Sequence, residues 1–183
     1  MEKCRMVFSG SGGQGVITAA IILAEAAVLY EKLIAVQSQS YGPEARGGAT
    51  RSDIIISDSK INYPKVIQPN VLVCLTQEAY NKFYPIVRPG GLLITDTRYV
   101  KTQRKADAIQ RELPMYQTVM EKIGKPIVFN IFMLGVVINM TQLLKAESIM
   151  KVLEDRIPSG FLEMNREALN LGMVMADEFS EKL

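Results

Sequence analysis

The chain has 183 residues, 48% of them apolar and 22% charged, and its 21 basic and 19 acidic side chains leave a formal net charge of +2. That length allows a sizeable buried core, and the near-neutral balance excludes the general basic field of a nucleic-acid binder or of a protein held on acidic lipid. There is no histidine, and Cys4 and Cys74 are the only cysteines. This removes the usual general base at neutral pH, the Ser–His and Cys–His nucleophile pairs, histidine metal sites, and an iron–sulfur cluster, which needs about four thiolates. Any redox centre that the chain works with is therefore borrowed, and two cysteines fit a reduced, cytoplasmic protein better than a disulfide framework.

The predicted elements run in a regular order. Residues 4–8 are a short apolar run feeding into glycines, which predicts a strand. Residues 13–30 show helical spacing with Ile17, Ile21, Ala24 and Val28 on one face, and residues 33–37 predict a second strand. Strand, glycine loop, helix and strand form a βαβ unit with a right-handed crossover. Residues 40–49 are a polar, glycine-rich loop, residues 50–57 a strand around Ile54, Ile55 and Ile56, and residues 61–63 a short hairpin partner. Residues 71–75 suit a central parallel strand covered on both faces, Thr76 caps a short helix through Tyr84, and residues 92–95 are another buried strand. Residues 97–112 are polar and are expected on the surface, and residues 117–123 form a helical turn.

The last third is helical, at residues 130–144, 146–156 and from Pro158 or Ser159 onward, with Phe161, Met164, Ala168, Leu171, Met175 and Phe179 recurring on the final helix. Residues 126–144 carry no charge, but Asn130, Gly135, Asn139 and Gln142 interrupt them, so a buried helix is expected rather than a membrane span. Glycines likewise break the apolar stretch of residues 5–24, which argues against a secretion signal. The expectation is a single α/β unit over residues 1–183: a Rossmann-like, mostly parallel sheet of about five strands, helices on both faces and a helical C-terminal third.

Two loops carry the chemistry. Gly10-Ser11-Gly12-Gly13-Gln14-Gly15 matches G-x-G-x-x-G between a first strand and a first helix. Glycines there permit a tight turn and a close approach to the backbone, and the helix behind offers unpaired N–H groups and a positive dipole end. A dinucleotide site also needs an acid at the end of the second strand, where this chain has Val36-Gln37-Ser38-Gln39-Ser40. The loop therefore reads either as a nucleotide cradle or as a turn that packs helix on strand and presents a surface. A side chain at Gly12 is expected to disturb folding or assembly. The second loop holds Tyr41, Gly42, Pro43, Glu44, Ala45, Arg46, Gly47 and Gly48 and opens on the same sheet edge. Arg46 can grip a carboxylate or phosphate and Tyr41 can stack or donate a hydrogen bond; an internal Glu44–Arg46 arrangement or a solvated turn is the other reading.

Gly10 to Val16 followed by Ser40 to Gly48 resembles the gamma subunit of the 2-oxoacid:ferredoxin (acceptor) oxidoreductases. Gln77-Glu78-Ala79-Tyr80, Asn130 with Leu134-Gly135, and Glu163-Met164-Asn165 through Ala168 to Gly172 extend the likeness over nearly the whole chain. The resemblance implies a holoenzyme that turns a 2-oxo acid and coenzyme A into acyl-CoA and carbon dioxide. Thiamine diphosphate with Mg2+ and the iron–sulfur clusters would sit on alpha, beta and delta partners, and electrons would pass to ferredoxin or another low-potential acceptor. This chain would hold no cofactor and no metal, would be inactive alone, and would use its two loops on the substrate and CoA side or at a subunit interface. Tyr41, Ala45 and Gly48 look more like the 2-oxoglutarate and branched-chain branch than the pyruvate branch, and 2-oxoglutarate is favoured. The alternative is a free-standing Rossmann-type nucleotide-binding or regulatory module. Neither nucleic acid nor membrane is an expected partner.

Overall fold

The computed structural model describes residues 3–40, 49–103 and 107–180. Strands β1 (Cys4–Gly10), β2 (Ile34–Gln39), β3 (Thr50–Ser57), β4 (Val71–Cys74), β5 (Gly91–Asp96) and β6 (Ala108–Leu113) form a six-stranded sheet in the order β2-β3-β1-β4-β5-β6. β1, β4, β5 and β6 are parallel neighbours, while β3 runs antiparallel to both β1 and β2. The expected βαβ unit is thus split: β2 runs in the direction of β1 but lies beyond β3, which occupies the place beside β1. The partner of β3 is β2 rather than residues 61–63, which are not strand.

Alternation along the strands divides the core in two. Met6, Phe8, Ile54, Ile56, Val71 and Val73 face helices α1 (Val16–Tyr30), α3 (Met115–Lys122), α4 (Phe129–Thr141), α5 (Ala146–Arg156) and α6 (Ser159–Ser180). Val7, Ile55, Leu72, Cys74 and Leu93 face α2 (Gln77–Phe83) and the strap around Val66. The strap is fixed through the buried Asp53, whose carboxylate accepts from the Val66 N–H at 3.0 Å and from Arg51 Nε at 2.6 Å. Arg51 in turn donates to the Val66 carbonyl at 2.5 Å.

Three sequence expectations are corrected. α1 buries Val16, Ala19, Ala20, Ile22, Leu23, Ala26 and Ala27, whereas Ile17, Ile21 and Ala24 are half-buried and Val28 is exposed. The helix is apolar nearly all round, so spacing cannot choose its face; the alanines let its backbone lie close to β3. Residues 97–112 are not only surface, because β6 adds a sixth strand at the sheet edge, where its polar Gln110, Arg111 and Glu112 are half-buried or exposed. On α6, Ala168 and Met175 are buried as expected, but Phe161 is 52% exposed, and Asn165, Leu169, Gly172 and Ala176 complete the inner face.

α4 is buried from Phe129 through Ile138. It meets α6 backbone to backbone: a Cβ at Gly135 would strike the Leu169 carbonyl, and one at Gly172 would strike the Phe132 carbonyl. The two glycines are reciprocal, each opening the way for the other helix.

Candidate functional site

The carboxyl ends of β1 and β4 and the chain leaving β2 share one sheet edge. There the Thr50 hydroxyl donates to the Gly10 carbonyl and the Ser9 hydroxyl donates to the Thr50 carbonyl, both at 2.8 Å. The Ser40 N–H donates to the Arg51 carbonyl at 3.1 Å. The Thr50 flank of the second loop therefore lies beside the glycine loop, and the Ser40 flank lies one strand further out. Tyr41, Gly42, Pro43, Glu44, Arg46, Gly47 and Gly48 themselves lie outside the described residues.

The glycine loop is held by Gln14. Its Oε1 accepts from the Ser11 N–H at 2.8 Å and its Nε2 donates to the Leu75 carbonyl at 3.0 Å, so one side chain closes the turn and ties it to the end of β4. Gly15 takes φ +73°, and a Cβ there would lie 2.7 Å from Asn130 Nδ2. It is thus required twice, by conformation and by the start of α4. Gly10 is crowded as well, since its Cβ would lie 2.5 Å from Gln14 Oε1. Gly12 is not: among the described residues nothing lies within 4 Å of its Cβ position, and its φ is not positive, so nothing described there opposes a side chain within the fold, and the expected damage at Gly12 would fall on assembly.

Between this loop and the C-terminal helices lies a cleft of about 530 Å³. Gly15, Val128 and Pro158, which immediately precede α1, α4 and α6, all line it. None of the three helices carries an acid in its first turn, and neither Gly15 nor Val128 makes a side-chain cap. Three helix starts thus border one space, although the Phe129 N–H at the start of α4 already donates to the Pro126 carbonyl; an unpaired helix N-terminus is worth roughly 0.3–1 kcal/mol to a nearby anion at an exposed end. Thr18, Asn130 and Asn165 add polar groups, while Ile127 and Phe161 form an apolar wall, 75% and 52% exposed. Arg156 closes one side but is engaged: its guanidinium holds Glu25 in a two-point ion pair, and that hydrogen bond lowers the Glu25 carboxyl below its usual range. The cleft can take an anionic group joined to an apolar arm, or the matching surface of another subunit.

Of the loop residues singled out in the sequence, Gly13, Gln14 and Gly15 line the cleft and Gly10 does not, while Thr18, Ile127 and Phe161 line it without having been singled out as site residues. Their only signal is position just before or inside the first turn of a helix. The dinucleotide reading loses its geometry: β3 separates the end of β2 from β1, roughly 10 Å at about 4.8 Å per strand. An acid on β2 would stand too far from the glycine loop for a shared ribose and pyrophosphate.

The two cysteines are far from thiolate chemistry. Burial pushes Cys4 up to about 11 and raises Cys74, which is fully buried in β4, still further. Among the described residues no three cysteines or carboxylates gather as metal ligands, and no helix is long and apolar enough to cross a membrane. Asp96, buried at the end of β5, is also raised by burial, and its carboxylate accepts the N–H groups of Tyr116 at 2.7 Å and Arg98 at 2.9 Å. It positions α3 rather than a ligand.

Residues 5–175 match the pyruvate ferredoxin/flavodoxin oxidoreductase family. The chain is 44% identical over 172 residues to the 2-oxoglutarate synthase subunit KorC of Methanocaldococcus jannaschii, covering 93% of this chain and 92% of that one. It is 40% identical over 178 residues to the KorC subunit of Methanothermobacter thermautotrophicus, covering 94% of each. Its fold overlays the gamma subunit of a keto/oxoacid ferredoxin oxidoreductase from Geobacter sulfurreducens with a TM-score of 0.87 at 39% identity, over 96% of this chain and 99% of that one.

Proposed function

The chain belongs to the pyruvate ferredoxin/flavodoxin oxidoreductase family, and from that membership we propose that it is the gamma subunit of a cytoplasmic 2-oxoglutarate:ferredoxin oxidoreductase. The observation that carries the substrate class is the 44% identity to a 2-oxoglutarate synthase subunit along 92% of its length. Tyr41 and Ala45 in the second loop agree with it. The complex converts 2-oxoglutarate and CoA into succinyl-CoA and carbon dioxide and passes the electrons to ferredoxin or another low-potential acceptor.

The chain contributes surface and shape. Thiamine diphosphate with Mg2+ and the iron–sulfur clusters belong to the alpha, beta and delta partners and supply decarboxylation and electron transfer there. Two protonated thiols in separate strands suit no cluster. The glycine loop, the cleft beside it and the second loop form the side that meets substrate, CoA or the catalytic subunits. In the cleft, helix N-termini favour a phosphate or carboxylate, and Ile127 and Phe161 favour an apolar arm or a neighbouring subunit. Arg46 supplies a bidentate grip on an anion.

The test is co-expression of alpha and beta chains with and without this one, reading 2-oxoglutarate-dependent viologen reduction. Turnover is expected only when the chain is present; full activity without it would refute the assignment. Arg46→Ala should lower turnover or CoA use on the order of tenfold, the size of one lost charge-assisted contact. Its thermal midpoint should stay unchanged, since exposed loop changes usually cost within about 0.5 kcal/mol. Parallel loss of folding and activity would make Arg46 structural.

A further inference from the structure

At the opposite end of β1 from the glycine loop is a second concavity, an open groove of about 710 Å³. Lys3, Arg5, Lys65 and Arg88 line it, and among the described residues no aspartate or glutamate does. None of the four has an ion-pair partner among the described residues. In a chain whose formal charge is only +2, four cations in one groove with no ion-pair partner among the described residues are a local field that the composition hides.

We infer that this groove docks an acidic segment of a partner polypeptide that also carries an apolar or aromatic side chain. Tyr63 and Ile67 stand at the groove 61% and 72% exposed. Aromatic and Arg side chains with a charged surround are the composition of a protein contact surface. The wall that presents them is prebuilt, because Asp53 and Arg51 clamp Val66 and the Ser38 hydroxyl donates to the Pro64 carbonyl at 3.1 Å. The backbone N–H and C=O groups of Ile61, Asn62 and Tyr63 bond to no other described residue, so an extended partner segment can pair with them. A free phosphate fits less well. Among the described residues no helix starts in this groove, which is the feature that usually holds one. Lys65 and Arg88 are exposed and Lys3 and Arg5 half-buried, and such cations attract a partner by long-range steering and hold it in a salt-dependent way.

The inference rests on the reading that the chain works in a complex, but its first measurement does not. A fluorescent random glutamate–tyrosine copolymer is titrated into the full-length chain, with polyglutamate and inorganic tripolyphosphate as comparators. The copolymer should bind more tightly than either, and binding should weaken steeply with salt. Lys65→Glu/Arg88→Glu should weaken it at least about tenfold, the loss expected when charges at a steered contact are reversed, while Lys122→Glu on α3 should leave it unchanged. Equal effects of the two variants, no copolymer binding, or tripolyphosphate binding more tightly through Lys65 and Arg88 would each overturn the inference. In the reconstituted complex, failure of the wild type to assemble or turn over counts against the gamma-subunit reading. A wild-type complex whose assembly and acceptor reduction are unaltered by Lys65→Glu/Arg88→Glu, at every salt concentration, counts against the groove.

Discussion

Glycine is used in two opposite ways in this molecule. In the loop after β1, Gly12 meets no other described residue at its Cβ position and Gly15 is chosen for a left-handed backbone beside Asn130. In the seam between α4 and α6, Gly135 and Gly172 lie inside helices, where glycine is otherwise unfavourable by about 1 kcal/mol. They are there because each replaces a side chain with the carbonyl of the facing helix. The first set makes a surface and the second makes a joint, and the same letter in the sequence hides the difference.

Substitution separates the two uses. Gly172→Ala and Gly135→Ala should each cost about 3 kcal/mol or more, the upper end of overpacking, read as a lowered urea midpoint. A cost below about 1 kcal/mol would show that the helices can part without penalty and would erase the distinction. Gly15→Ala should cost about 2 kcal/mol through its φ and its contact with Asn130, while Gly12→Val should stay within about 0.5 kcal/mol. Equal losses at the two positions would mean that the loop is uniformly constrained. Gln14→Ala should cost about 1–2 kcal/mol for its two hydrogen bonds, and hydrogen exchange at the Ser11 N–H should accelerate even where the global midpoint barely moves.

The smallest effect is one of pH. The Ser148 hydroxyl, donating at 2.5 Å, lowers the Glu31 carboxyl, as Arg156 lowers Glu25. A carboxyl lowered in the folded state adds stability above its unfolded value, and that stability is lost as pH falls through the folded value. Acid unfolding should therefore steepen below the ordinary glutamate range, and Glu31→Gln should flatten that limb by lowering the midpoint at neutral pH while leaving it nearly unchanged in acid, where the wild-type carboxyl is itself protonated. An unaltered acid limb would show that these ties between α1 and α5 are incidental.

Much of the fold could be read from the sequence where one local signal sufficed. The apolar run at Val71–Cys74, the uncharged α4 and the glycine loop each declared themselves by composition. What stayed hidden depends on distant partners. Gly10 opposite Thr50 is a pairing across forty residues, and no local pattern says that β3 will enter between β1 and β2. β6 escaped notice because an edge strand keeps polar side chains. α1 presented two plausible faces, and only the sheet chose between them. At the site, the glycines and Gln14 were visible as a motif, but the cleft was not, since it arises where three helices begin together.

The interposed β3 also bears on the sequence of events during folding. Joining β2 to β3 closes only the short stretch between Gln39 and Thr50, whereas joining β1 to β3 must first span all of α1 and β2. Since ring closure becomes costlier with span, the hairpin is the early event and its docking on β1 the late one. Pulse-labelled amides should gain protection at Val36 and Ile55 before those at Met6 and Ile54, which bond across the β1–β3 seam.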